Sequence, residues 1–213
     1  MIRVKVCGIT NWADADIALS AGANALGFNF YPPSPRYIPP SHARAIVSRM
    51  PPGVDAVGVF VNAPFAEANE IGLAIDLDVF QLHGEETPEA VAEFSESWPL
   101  IKAFRVTPEF RSEQLEPYRK HTDFFLLDGF SDGARGGTGN TFDWSVASSA
   151  KQFGRIFLSG GLTPENVGDA VRNVRPFAVD VCSGVEASPG KKDPARVRDF
   201  IRIVKEASQE IAQ

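Results

Sequence analysis

Cys7, His83, Asp128 and Asp180 are the residues of this chain whose surroundings best fit them for chemistry. Cys7 ends the run Val4-Lys5-Val6-Cys7, just before Gly8. Strand alternation puts Val4 and Val6 on one face and Lys5 and Cys7 on the other. A thiol at a strand tip, turned away from the apolar side chains, can ionise and act as a base or nucleophile. The plainer reading is a small buried hydrophobe, the usual fate of a free cysteine. Asp128 closes the apolar run that starts at Phe124, and Asp180 sits between Val179 and Val181. A carboxylate in such a run needs a partner or a function, because burying it unpaired is costly. His83, after Gln81-Leu82, either serves the chemistry or caps a strand through a backbone carbonyl. Lys5, one layer deeper than Cys7, is expected to form an ion pair with Asp180 inside the fold; its sharper reading is a Schiff-base lysine.

These residues fall at the ends of short apolar runs that alternate with helical stretches. The strands are read as Arg3–Cys7, Ala25–Phe30, Ala56–Val61, Val79–His83, Leu100–Val106, Phe124–Asp128, Arg155–Ser159 and Ala178–Cys182. Helices are expected near Trp12–Ala21, His42–Met50, Ala63–Ala74, Pro88–Trp98, Glu113–His121, Trp144–Phe153, Pro164–Asn173 and Pro194–Ile211. Such alternation means parallel strands with crossover helices. Eight units predict an α/β fold, a closed (β/α)8 TIM barrel, as a single domain over 1–213. An open doubly wound sheet is the alternative, but no nucleotide fingerprint accompanies it. Asn11 can cap the first helix, and Thr87-Pro88, Thr163-Pro164 and Asp193-Pro194 each place a cap before a first-turn proline. Asp14, Glu89 and Glu165 bring negative charge to first turns. Tyr31–Pro40 reads as a rigid loop after strand two, and the glycine-dense Gly133–Gly139 as a mobile one after strand six. Active sites of such barrels lie on the rim formed by the C-terminal strand ends. That rim would gather Cys7, His83, Arg105, Asp128 and Cys182.

Two glycine-bearing segments follow strands seven and eight, Ser159-Gly160-Gly161-Leu162 and Cys182-Ser183-Gly184-Val185. In (β/α)8 proteins these two loops commonly bind phosphate through backbone N–H groups. Gly160, Gly161, Ser183 and Gly184 are therefore candidate phosphate ligands. No nucleotide motif and no metal-ligand spacing is present, so neither a cofactor nor a metal is expected. The composition is that of an ordinary globular protein, with 44% hydrophobic and 23% charged residues. A net charge of −6 argues against nucleic acid or an anionic membrane as partner, though not against a small anion. Two cysteines make no disulfide framework, and no run has the length or flanks of a signal or membrane span. A cytoplasmic, reduced protein acting on a small molecule is the expectation, as a monomer or a homodimer.

Taken in order, these segments resemble the phosphoribosylanthranilate isomerase family of tryptophan biosynthesis over essentially the whole chain. The markers are Lys5-Val6-Cys7-Gly8-Ile9-Thr10, Ser34-Pro35-Arg36-Tyr37, Gln81-Leu82-His83-Gly84, Leu127-Asp128, Gly136-Gly137-Thr138-Gly139 with Phe142-Asp143-Trp144, Ser159-Gly160-Gly161-Leu162 and Asp180-Val181-Cys182-Ser183-Gly184-Val185-Glu186. Cys182 departs from the pattern, which has serine there. The resemblance implies an Amadori rearrangement of an aminoaldose, N-(5-phosphoribosyl)anthranilate, into an aminoketose. It implies Asp128 as general acid at the ring oxygen and Cys7 as general base at sugar carbon 2. It further implies that Arg36 holds the anthranilate carboxylate and that the two glycine loops hold the phosphate.

The residues agree with that chemistry, which needs one proton donor, one acceptor, two anion-binding ends and no redox group. Cys7 must be shifted down from about 8.5 to ionise near neutrality, and Asp128 must be shifted up to act as an acid. The segment Ser131–Thr141 is a plausible lid. Strands one and eight are neighbours in a closed barrel, so Cys7 and Cys182 are expected to approach closely enough for oxidation to link them. The rival readings are a different phosphosugar isomerase, a Schiff-base aldolase using Lys5 or Lys102, and a non-catalytic phosphosugar-binding barrel.

Overall fold

In the computed structural model, which describes residues 1–129 and 143–212, eight parallel strands close into a barrel in sequence order. The elements are β1 (Arg3–Cys7), α1 (Trp12–Ala21), β2 (Ala25–Asn29), α2 (Pro40–Val47), β3 (Asp55–Phe60), α3 (Phe65–Ile75), β4 (Val79–Leu82), α4 (Pro88–Ser95), β5 (Leu100–Val106), a 3-10 helix (Ser112–Tyr118), β6 (Phe124–Gly129), α5 (Trp144–Ala150), β7 (Arg155–Leu158), α6 (Val167–Val174), β8 (Ala178–Val181), a short hairpin of β9 (Glu186–Ser188) and β10 (Lys191–Lys192), and α7 (Pro194–Glu210). The Gly133–Gly139 loop, the Gly136–Phe142 part of the family pattern and the whole of the expected lid at 131–141 lie outside the described residues.

The alternation read from the sequence sorts the core into two parts. Outward-facing side chains such as Val4, Val6, Leu26, Phe28, Leu127 and Val179 pack against the helices in the larger apolar cluster. A smaller cluster of Ala25, Val57, Ile101, Ala103, Leu126, Phe157 and Ala178 fills the barrel interior towards its N-terminal end. Above it the interior turns polar, because Lys5 pairs in register with Asp180 across β1 and β8. The long α7 buries Val197, Phe200, Ile201, Val204 and Ala207 and packs against both α1 and α6, closing the outer ring.

Three caps stand as expected. Asn11 accepts from Asp14 N at 2.9 Å, Thr87 from Ala90 N at 3.3 Å, and Asp193 from Ala195 N and Arg196 N at 2.8 and 3.0 Å. The fourth is corrected. α6 starts at Val167, not Pro164. The Asn166 side chain accepts from Thr163 N at 2.8 Å and donates to Gly161 O at 2.9 Å, which holds the preceding residues as a turn. The stretch expected as helix near Glu113–His121 is a 3-10 helix instead, with Pro117 inside it and unable to donate a backbone hydrogen bond. Several strands end one residue earlier than read, so His83, Ser159 and Cys182 begin the rim loops rather than close strands. His83 N still donates to Phe60 O at 2.8 Å and Ser159 N to Leu127 O at 2.9 Å. Their ladders fade on one side only.

None of the helices among the described residues is long and apolar enough to cross a membrane.

Candidate active site

The C-terminal rim carries a cleft of about 400 Å³ lined by Cys7, Arg36, Gln81, His83, Asp128, Ser159, Asp180 and Cys182, with the Asn29–Pro35 region as one wall. Six residues singled out in the sequence therefore meet in one space: Cys7, Arg36, His83, Asp128, Asp180 and Cys182. Gly160, Gly161, Ser183 and Gly184 are not among the lining residues. They follow directly on Ser159 and Cys182, which are.

Cys7 reaches the cleft because β1 turns alternate side chains inward. Its neighbour on β2 in register is Gly27, where a Cβ would stand 2.7 Å from Cys7 Sγ, so only glycine leaves the thiol its place. A hydrogen bond from the Cys182 thiol, aided by the Lys5 ammonium below, outweighs burial and lowers the Cys7 thiol to about 6. Cys182 takes the opposite shift: its hydrogen bond to Cys7 and burial push it well above the usual thiol range. The pair thus holds one ionised and one protonated sulfur near neutral pH.

Lys5 Nζ lies 2.7 Å from Asp180 Oδ1, with both side chains buried. Burial opposes the Lys5 charge, but Asp180 and Cys7 raise it above the ordinary lysine range. Ser159 Oγ donates to the other Asp180 oxygen at 3.3 Å. The ion-pair reading of Lys5 is the one the geometry supports.

On the far wall Asp128 is 5% exposed, and His83 Nε2 lies 3.4 Å from its Oδ2. His83 Nδ1 is 2.7 Å from Gln81 Nε2. An amide N–H donated to Nδ1 places the ring proton on Nε2, facing Asp128. His83 thus engages a carboxylate and a side-chain amide rather than simply capping its strand. Gln81 was passed over in the sequence, although its spacing from His83 put it on the same inward face. Its Oε1 is buried with no partner among the described residues.

Arg36 enters from the loop after β2. Ser34 Oγ accepts from Arg36 N at 3.2 Å, Asn29 Oδ1 accepts from Tyr31 N at 2.9 Å, and the buried Ile38 donates its N–H to Asn29 O at 3.0 Å. The loop is thereby folded back onto the strand end. The guanidinium meets Glu186 as a fork, Nε to Oε1 at 2.9 Å and Nη2 to Oε2 at 2.7 Å. Glu186 also takes Lys192 Nζ at 3.0 Å. Sequence reasoning missed Lys192 and gave Glu186 no role, because the β9–β10 hairpin that pairs them shows no strand pattern.

The glycine loops pack against each other. Gly160 has a φ of 81°, and a Cβ there would collide with the backbone of Gly129. Arg196 spans both loops, donating from Nε to Gly184 O at 2.9 Å and pairing with Glu165 at 3.0 Å. Glu165 therefore serves Arg196, not the first turn of α6.

Lys102 and Arg105 face a neighbouring recess with Glu86 and Tyr118. Lys102 Nζ is bound to Glu86 Oε2 at 2.8 Å and to the carbonyls of Gly84 and Ala103 at 3.0 and 3.1 Å. Among the described residues no three His, Cys, Asp or Glu side chains gather as a metal site.

Comparison with known proteins agrees with this geometry. The family model described as N-(5'phosphoribosyl)anthranilate (PRA) isomerase matches residues 4–203. An N-(5'-phosphoribosyl)anthranilate isomerase of Pelobacter propionicus is 49% identical over 210 residues, covering 99% of each chain. The crystal structure of the Thermotoga maritima phosphoribosyl anthranilate isomerase superposes with a TM-score of 0.88 at 45% identity, covering 97% of this chain and 100% of that one. A phosphoribosyl anthranilate isomerase in complex with reduced 1-(o-carboxyphenylamino)-1-deoxyribulose 5-phosphate gives 0.84 at 43%, with the same coverage. A barrel of this strand order, with matches at this level over nearly its whole length, belongs to the N-(5'-phosphoribosyl)anthranilate isomerase family.

Proposed function

We propose that Cys7 and Asp128 are the base and acid of the family's reaction. The chain is an isomerase of tryptophan biosynthesis, converting N-(5'-phosphoribosyl)anthranilate into the aminoketose 1-(2-carboxyphenylamino)-1-deoxyribulose 5-phosphate. In our reading Asp128 donates its proton to the furanose ring oxygen, the ring C–O bond breaks, and the anthranilate nitrogen becomes an iminium. The Cys7 thiolate then takes the proton from sugar carbon 2. The electron pair of that C–H bond moves towards the iminium and leaves an enolamine, which tautomerises to the ketone. Arg36 takes the anthranilate carboxylate, and the backbone around Gly160–Gly161 and Ser183–Gly184 takes the phosphate. Asp180 and His83 are contacts for the sugar and for the acid.

The observation that carries this reading is that Cys7, Asp128 and the Arg36 guanidinium line one cleft, where the Cys182 thiol and Lys5 lower the Cys7 thiol to about 6. Cys7 and Asp128 come from β1 and β6, on separate walls, as proton transfer at two sugar atoms requires. Holding the substrate at both anionic ends turns remote contacts into alignment at the reacting carbon. Against a Schiff-base mechanism, Lys5 is ion-paired and fully buried, and Lys102 spends its hydrogen bonds on Glu86 and carbonyls outside the cleft.

The test is the decay of anthranilate fluorescence from freshly made substrate. Wild-type protein should abolish the signal quickly. Cys7→Ala and Asp128→Asn should each slow kcat by at least about 100-fold, the usual span of general acid–base catalysis. Normal turnover by either variant would remove that residue from its role.

A further inference from the structure

The charges behind Arg36 do not balance as a simple pair would. Arg36 and Glu186 form a fork that is neutral by itself, and a neutral pair has little pull on a carboxylate. Lys192 completes a trio. Its Nζ is buried and touches Glu186 Oε1 at 3.0 Å, Cys182 O at 3.2 Å and Cys182 Sγ at 3.7 Å. Glu186 Oε1 takes Gly190 N as well, at 3.3 Å. Neither Lys192 nor Glu186 lines the cleft, whereas Arg36 does. Within the trio two cations face one anion, so the group carries a single positive charge and exposes it only through Arg36.

We infer that Lys192 and Glu186 act through Arg36, setting one net positive charge at the carboxylate end of the site. This rests on the reading of Arg36 as the carboxylate holder given above. Burial opposes both charges, but Glu186 and the Cys7 thiolate favour the Lys192 ammonium, and Arg36 and Lys192 hold Glu186 below its ordinary range. The trio therefore stays charged across neutral pH. Its backbone layout is equally fixed. β9 and β10 pair Glu186 with Lys192 across the hairpin. Thr10 Oγ1 ties the hairpin turn to the loop after β1 through Gly190 O at 2.7 Å.

The experiment compares two reduced product analogues as inhibitors at pH 8, one bearing the ring carboxylate and one with hydrogen in its place. Their ratio of inhibition constants measures carboxylate recognition. KM and kcat are measured alongside. The ratio should follow the net charge of the trio. Lys192→Met leaves no net charge and should raise KM and shrink the ratio by about tenfold each, with kcat changing far less. Glu186→Gln leaves two positive charges and should enlarge the ratio. Lys192→Met with Glu186→Gln restores one, and should return the ratio close to wild type. Should Lys192→Met fail to fold, Glu186→Gln against the double variant still isolates the lysine charge. A wild-type preference that survives loss of Lys192 in either comparison, or a double variant no better than Lys192→Met, would overturn the role of Lys192. Equal binding of the two analogues by wild-type protein would instead overturn the Arg36 reading beneath it.

Discussion

Cys182 stands beside Cys7 in the cleft, and its thiol is the largest cause that lowers the Cys7 thiol to about 6. Cys7 ends β1 and Cys182 directly follows the neighbouring parallel β8, with Lys5 opposite Asp180 and Val6 opposite Val181 immediately before them. A residue of the loop after β8 thus bears directly on the residue we assign as base.

The pH dependence follows from the direction of this shift. Cys7 works as the thiolate, so kcat/KM should fall as pH drops through about 6, approaching tenfold for each further pH unit. Removing the donor in Cys182→Ala disfavours the thiolate and should move this acid limb to higher pH, by about one to two pH units for a bond to a charged group. Cys182→Ser, which keeps a donor, should stay near wild type. Identical limbs in all three proteins would show that Cys182 does not tune the base.

The same proximity predicts a redox sensitivity. A small disulfide oxidant should accept two electrons from the Cys7–Cys182 pair, leaving a Cys7–Cys182 disulfide, two reduced reagent thiols and an inactive protein. A monothiol reductant should restore activity. Peptide mapping that finds both thiols free in fully active protein after treatment would contradict this.

Stability should depend on the ion pair beneath the site. Asp180→Asn leaves the Lys5 ammonium buried without its counter-charge, and should cost about 3–5 kcal/mol in urea unfolding. Replacing both, as Lys5→Met with Asp180→Leu, should recover much of that loss while isomerase activity stays low. A single variant within about 0.5 kcal/mol of wild type would mean that the pair is not holding the barrel interior.

A lysine mechanism makes a different forecast. Borohydride added during turnover should leave Lys5 and Lys102 unmodified, because both ammonium groups are engaged away from the reacting atoms. A reduced substrate adduct on either lysine, found by peptide mass, would reverse the mechanism.

Much of this was legible before any coordinates, for identifiable reasons. Eight apolar runs with helices between them fixed the barrel, and period-two alternation placed Lys5 and Cys7 inward and Val4 and Val6 in the outer core. The Lys5–Asp180 pair followed from the cost of burying charge. What could not be read were contacts made by loops folding back. Glu186 and Lys192 meet across a hairpin too short to show a pattern, and Asn166 turns the chain away from a helix that Thr163-Pro164 announces. Gln81 was legible and overlooked: it stands two residues before His83, and a strand turns both the same way.

The central claim is that Cys7 is the base, and its alkylation as a function of pH tests it most directly. Iodoacetamide is added across pH 5–9, modification at Cys7 is located by mass, and residual isomerase activity is measured on the same samples. The account predicts a rate of Cys7 alkylation that rises through about 6 together with kcat/KM, and activity lost in proportion to Cys7 modified. Full activity after complete alkylation of Cys7, or a Cys7 that ionises only near the ordinary thiol value of about 8.5, would contradict it.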